Sequence, residues 1–319
     1  MNMRVSFQEL LSASPVILGE GAVIERLRRS PDVQLDEYVV NSALIYQDAG
    51  RLALETICRQ YLDIGQRFDL PLLISTPTWR AGKERIAAAG LAGRDLNGDN
   101  FRFLADLCST YGDYARKVAI CGLMSCRGDA YKPEEAMTED KAEKFHTWQA
   151  EALVTSGVDV LLASTLPALS EAIGLARVFA ATGLPYLISF VVRPEGTLLD
   201  GTPLHRAIDI IDTSVTPCPL AYLVNCTHTS AFHRAMLHAT NSSQLVRERV
   251  IGLLANTAAL TPEELNNSAE LIEEDPELFG RRVAALHGEL GMKLLGGCCG
   301  TDNRHIECLA RNLSNPAIG

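Results

Sequence analysis

Ala221-Tyr222-Leu223-Val224-Asn225-Cys226 is an apolar run that turns polar only at its end. A strand with one wet face alternates apolar and polar residues, whereas a strand buried on both faces, as in a parallel sheet, does not. Seven further runs read the same way: Pro15 to Gly21, Pro71 to Thr76, Lys117 to Leu123, Asp159 to Thr165, Pro185 to Val192, Val250 to Ala255 and Met292 to Cys298. Between them lie segments whose apolar residues recur at helical spacing, among them Leu52 to Gly65, Lys141 to Ser156, Leu169 to Thr182 and Thr261 to Glu273. The last has a start signal: Thr261 as cap, Pro262 at the first position and Glu264 at the return position of a capping box. Strand and helix alternating eight times predict an α/β fold, a (β/α)8 TIM barrel spanning 1–319 as a single domain. A doubly wound open sheet is the weaker alternative.

A hydrophobic content of 47% and a net charge of -10 over 319 residues describe an acidic protein with a sizeable core. No basic block offers itself to a nucleic-acid backbone. No apolar run approaches a membrane span, and the run Pro15 to Leu18 meets Glu20 before a signal-peptide core could form, so a cytoplasmic location is expected. Nine cysteines, odd in number and irregularly spaced, do not make a disulfide framework. Cys58, Cys108 and Cys308 sit among apolar neighbours as small hydrophobes, and Cys121, Cys126 and Cys218 lack metal-like spacing.

The remaining three cysteines read differently. In Gly296-Gly297-Cys298-Cys299-Gly300-Thr301 two adjacent thiols can meet one ion only if the chain bends, since neighbours on a regular strand face opposite ways. Gly291, Gly296, Gly297 and Gly300 permit that bend. In a barrel, Cys226 ends the sixth strand and Cys298 and Cys299 end the eighth, so all three reach the face where such enzymes work. Three thiolates suit a zinc ion with one open position.

With these residues in view, the chain resembles the homocysteine S-methyltransferase family over nearly its whole length. The resemblance rests on Asn225-Cys226 after an apolar strand and on GGCCGTDNRHI from Gly296 to Ile306. Weaker support comes from Glu20-Gly21, where the family has Asp-Gly, from Thr76-Pro77-Thr78, from Gly157-Val158-Asp159 with Ala168 to Ala172, and from Gly196 to Thr202. It implies a zinc-dependent transfer of a methyl group from a small donor, a sulfonium or similar, to a thiol held by Cys226, Cys298 and Cys299. Homocysteine is the family's acceptor, giving methionine. Where relatives carry Glu-Thr at the end of the fourth strand, this chain has Ser164-Thr165, and a neutral serine cannot give a substrate ammonium a charge-assisted hydrogen bond. The turn after the third strand, Ser125-Cys126-Arg127-Gly128, departs too.

Candidate substrate contacts are Glu20, Thr78, Ser164, Thr165 and Asn225. Arg80 is either a carboxylate clamp or a solvated loop cation, and His228 is a polar neighbour of Cys226 rather than a ligand. The other six histidines, His146, His205, His233, His238, His287 and His305, read as surface or cap residues, and Glu273-Glu274-Asp275 as an exposed helix end. The expected partners are a small-molecule thiol and a methyl donor, with no nucleic acid and no membrane, and with room for an oligomer. Rival readings are a zinc-dependent hydrolase on the same barrel, which would act without a thiol, and a barrel that binds thiol or zinc without turnover.

Overall fold

Eight parallel strands close into a barrel in sequential order, which is the (β/α)8 topology that the alternation predicts. The computed structural model describes residues 5–260 and 273–314. The strands are β1 (Ile17–Gly19), β2 (Leu72–Ser75), β3 (Val118–Ser125), β4 (Val160–Leu166), β5 (Tyr186–Phe190), β6 (Ala221–His228), β7 (Val250–Asn256) and β8 (Leu294–Gly297), one on each expected run. Closure runs through β1 and β8, with Ile17 beside Leu294 and Leu18 beside Leu295.

Alternate residues of each strand serve two cores, as the two-residue period of a strand requires. Ile17, Leu73, Val160, Leu162, Leu187 and Leu223 fill the barrel, while Leu18, Leu72, Ile74, Leu161, Ile188 and Val224 pack outward under the helices. A short helix, Phe7–Ala13, inserts Phe7 and Leu10 into the inner cluster and so plugs the end opposite the strand C-termini. Ser6 and Glu9 close its first turn as a capping box. The sequence reading does not include this helix, because only those two side chains of its seven residues are buried.

Leu169–Thr182 is helical as expected, Lys141 to Ser156 extends back to Glu139, and Leu52 to Gly65 extends to Asp48–Arg67. The expected helix Thr261 to Glu273 lies outside the described residues except for its last, Glu273, which is not helical. Asp275 caps a helix that follows it, Pro276–Leu290, so the acidic run Glu273-Glu274-Asp275 precedes a helix start. The segment Gly196 to Thr202 forms a tight turn, with Val192 bridged to Leu198 and Thr197 to Pro203.

Gly296 is where β8 meets β1 most closely: a Cβ there would lie 2.7 Å from the Gly19 Cα. Backbone on both sides cannot yield as a side chain can. Gly296→Ala is therefore expected to destabilise the barrel by about 1–3 kcal/mol through overpacking. Urea unfolding should show a lower midpoint with an unchanged slope, and a wild-type midpoint would refute the close approach.

Candidate metal centre

Cys226 stands at a bulge near the end of β6, where the pairing with β7 shifts between Asn225 and Thr227. Its backbone is left-handed, with φ 50°. Thr165 on β4 matches it, with φ 60° and a register shift against β5 between Ala163 and Leu166. Neither residue is glycine, and such conformations cost on the order of 1–3 kcal/mol each unless neighbours hold them. Asn225 does the holding. Its Oδ1 accepts from the Thr165 N–H at 2.8 Å and the Ser189 hydroxyl at 2.7 Å, and its Nδ2 donates to the Thr165 hydroxyl at 2.7 Å. The Asn225 side chain thus ties β4, β5 and β6 together.

The second part of the site follows β8. Cys298 N–H donates to the Ala255 carbonyl at 2.6 Å, and Thr257 N–H donates to the Cys299 carbonyl at 3.1 Å, so β7 continues to hold the chain as it turns. The Thr301 hydroxyl then bonds back to the Cys298 carbonyl at 2.6 Å. Gly300 supplies the bend, with φ 83° and with Thr257 so close that a Cβ would fall 1.8 Å from its hydroxyl. The other three glycines act otherwise than expected: Gly296 and Gly297 allow close approach to Gly19 and Thr301, and Gly291 ends the helix Pro276–Leu290.

These two turns bring the three sulfurs within 4.8 Å of one another, with Cys226 Sγ 4.0 Å from Cys299 Sγ. Tetrahedral zinc thiolates, with bonds of about 2.3 Å, set their sulfurs roughly 3.8 Å apart. The spacing and the soft donor set therefore fit a thiophilic divalent metal. Hydrogen bonds from Cys298 and Cys299 hold the Cys226 thiol well below its ordinary range, while sharing those bonds pushes the other two up. A divalent cation removes that competition and favours three thiolates. Tyr131, which no sequence signal marks, packs against this cluster, and the adjoining sulfurs and burial raise its phenol so that it keeps its proton.

Glu273, Asp302 and His305 also lie close together, but their groups are already matched. His305 bonds Asp302 through Nδ1 and the Glu274 carbonyl through Nε2, and Arg304 bridges both carboxylates.

The sulfurs open on a cavity of about 720 Å³, whose wall also carries Glu20, Ser164, Thr165 and Asn225. Glu20 accepts from the Ser75 N–H at 3.0 Å through Oε1, while its enclosed Oε2 has no hydrogen-bond partner. Burial pushes this carboxyl up to about 7. A carboxyl raised above its unfolded value of 4.5 binds more protons when folded, so it should weaken the metal-free fold as pH rises from about 4.5 to about 7. Chemical denaturation in the presence of a chelator should show this decline in the wild type and lose it in Glu20→Gln; parallel profiles would contradict the burial.

Thr78 lies behind the wall rather than on it, because its hydroxyl bonds Thr76 at 2.7 Å and the Leu123 carbonyl at 2.9 Å. Its neighbours Trp79 and Arg80 line the cavity instead, with the guanidinium 4.5 Å over the indole. His228 caps the helix Thr229–Leu237 and faces Glu274 at 3.7 Å, away from metal ligation. His146 is not a surface residue: it is buried against Glu171 at 2.9 Å. His305 is buried too.

The homocysteine S-methyltransferase family profile matches residues 17–313. Betaine–homocysteine S-methyltransferase 1 from Bos taurus is 24% identical over 333 residues, covering 98% of this chain and 76% of that protein. Homocysteine S-methyltransferase YbgG from Bacillus subtilis is 27% identical over 201 residues, covering 61% of this chain and 60% of that protein. Among solved structures, the metallated form of the homocysteine methyltransferase MmuM from Escherichia coli has a TM-score of 0.73 at 20% identity, covering 95% of this chain and 98% of that one, which is likeness of fold. Among the described residues no helix is long and apolar enough to cross a membrane.

Proposed function

Because the chain belongs to the homocysteine S-methyltransferase family and is a methyltransferase, we propose that it methylates a small thiol at a zinc centre formed by Cys226, Cys298 and Cys299. Homocysteine is the default acceptor, and a sulfonium or similar small molecule the donor. The reading rests on one observation: three sulfurs at metal-binding spacing facing a cavity large enough for two small substrates. Bound there, zinc would supply the Lewis acidity that keeps an acceptor sulfur deprotonated at neutral pH.

The chain's own groups do the rest. The positive φ at Thr165 and Cys226, held by Asn225, aims the Cys226 sulfur into the cavity. Tyr131 keeps a proton with which to stabilise that thiolate. Glu20, on the cavity wall, supplies a carboxyl for a substrate ammonium, and such a pairing would return the raised carboxyl to its ionised form. The reaction balances without a protein base. The acceptor sulfur forms a bond to the methyl carbon, the carbon–donor bond breaks with its electron pair leaving on the donor, and the thiol proton goes to solvent. Alignment of sulfur, carbon and leaving group is the task of the walls.

Ser164, on the cavity wall, carries no charge for an ammonium. Ser164→Glu is therefore expected to raise kcat/KM for amino thiols over their deaminated analogues by roughly tenfold or more, the worth of a charge-assisted hydrogen bond. An unchanged ratio would show that position 164 does not read the amine. The function itself is tested by incubating zinc-loaded protein with homocysteine and other thiols and with S-methylmethionine, S-adenosylmethionine or betaine, following methylated thiol by mass spectrometry. Donor consumption without thiol would favour hydrolysis, and bound thiol left unmethylated by every donor would favour a binding protein.

A further inference from the structure

A second groove of about 660 Å³ adjoins the thiol cavity and shares Trp79, Arg80 and Asp129 with it. Three guanidiniums line this groove: Arg80, Arg85 and Arg127. Arg80 and Arg85 are drawn together, since both donate to the Arg127 carbonyl, at 2.8 and 3.1 Å. Arg85 also donates to the Tyr38 carbonyl at 3.1 Å, and the Arg127 guanidinium lies 5.8 Å from the centre of the Phe145 ring.

Like charges gathered this way repel, and carbonyls and rings offset that repulsion only in part. A neighbouring carboxylate would offset it better. The groove has Glu84, Asp129 and Glu135, yet Asp129 and Glu135 turn to Lys132, at 4.0 and 3.5 Å, and to backbone N–H groups of Tyr131 and Asp129. Among the described residues none of the three arginines forms an ion pair with a carboxylate. Burial and the charges of Arg80 and Arg127 hold Arg85 below the usual arginine range, while Glu135 feels the Arg80 charge without forming an ion pair with it.

We propose that this groove is an oxyanion subsite: it receives the carboxylate or phosphate end of a substrate whose other end reaches Cys226, Cys298 and Cys299. Arginine forks suit such planar or tetrahedral oxyanions because they offer paired donors in fixed geometry. The loop after β3 connects the two regions, placing Asp129 on the groove and Tyr131 against the sulfurs. The subsite thus extends the proposed methyl transfer toward an acceptor or donor longer than a simple amino acid, and it rests on that reading for its link to chemistry.

Inorganic phosphate is the first probe, titrated calorimetrically into chelator-treated full-length protein, so that the result does not depend on the metal. Binding should weaken at least tenfold in Arg127→Gln and again in Arg85→Gln, with far-UV circular dichroism confirming that both variants are folded. Arg127 is the cleaner variant, because its exposed guanidinium holds no other element in place by a hydrogen bond. With active zinc-loaded enzyme, phosphate should then inhibit competitively. Competition against the thiol places the anionic end on the acceptor, and competition against the donor places it there. Absence of phosphate binding, equal binding by both variants, or inhibition competitive with neither substrate would overturn the subsite. Failure of zinc binding with phosphate binding intact would instead count against the metal centre.

Discussion

Cys298→Ala is expected to lower bound zinc from one ion per chain to near none and to reduce methyl transfer by about a thousandfold or more. The sulfur lost is one of three that lie within 4.8 Å of one another, and no histidine or carboxylate among the described residues joins them as a metal-binding group. Two thiolates hold zinc far less well than three, and a metal ion contributes several kcal/mol to stabilising developing charge, each 1.36 kcal/mol being about tenfold in rate. Elemental analysis and single-turnover rates check both parts. Cys218→Ser is the control, because Cys218 is exposed in the loop before β6 and lines no part of the cavity. Full zinc in Cys298→Ala would remove that residue from the site.

The second large effect belongs to a residue that touches no metal. Asn225→Ala deletes three hydrogen bonds at once, to Thr165 N–H, the Thr165 hydroxyl and the Ser189 hydroxyl, all buried. Buried polar groups left without partners cost roughly 1–3 kcal/mol each, although the losses are not additive. We expect a net destabilisation of about 3 kcal/mol. With Thr165 released, nothing equivalent holds the bulge that aims Cys226, so zinc affinity should fall about 10–100-fold, as for other groups that orient a ligand. Asn225→Asp keeps the acceptor for Thr165 and Ser189 and should lose much less. Chelator competition and urea unfolding separate the two effects; equal zinc affinity in Asn225→Ala and wild type would show that the clamp does not position Cys226.

The barrel was legible because burial on both faces leaves an apolar signature that does not depend on distant partners. Ala221 to Val224 reads as a buried strand from its own composition. The clustering of the three sulfurs was legible for a related reason: Cys298 and Cys299 are neighbours in sequence, and the strand order alone carries Cys226 to the same rim. What could not be read depends on pairing across the fold. The left-handed backbone at Thr165 and Cys226 falls on residue types that carry no turn signal, and it exists because Asn225 bridges two strands. Thr78 and Trp79 are adjacent, yet only the structure says which faces inward: the Thr78 hydroxyl finds Leu123 while Trp79 meets the cavity. His146 looks like a residue of a polar helix face until Glu171, on another helix, supplies a buried partner. Tyr131 sits in an irregular loop, where no periodicity assigns direction.

X-ray absorption at the zinc edge, on protein reconstituted with one equivalent of zinc, tests the central claim most directly. The expected spectrum shows three sulfurs at about 2.3 Å and one lighter donor, and it gains a fourth sulfur when homocysteine or another accepted thiol is added. A shell dominated by nitrogen or oxygen, or a sulfur count that added thiol leaves unchanged, would contradict it.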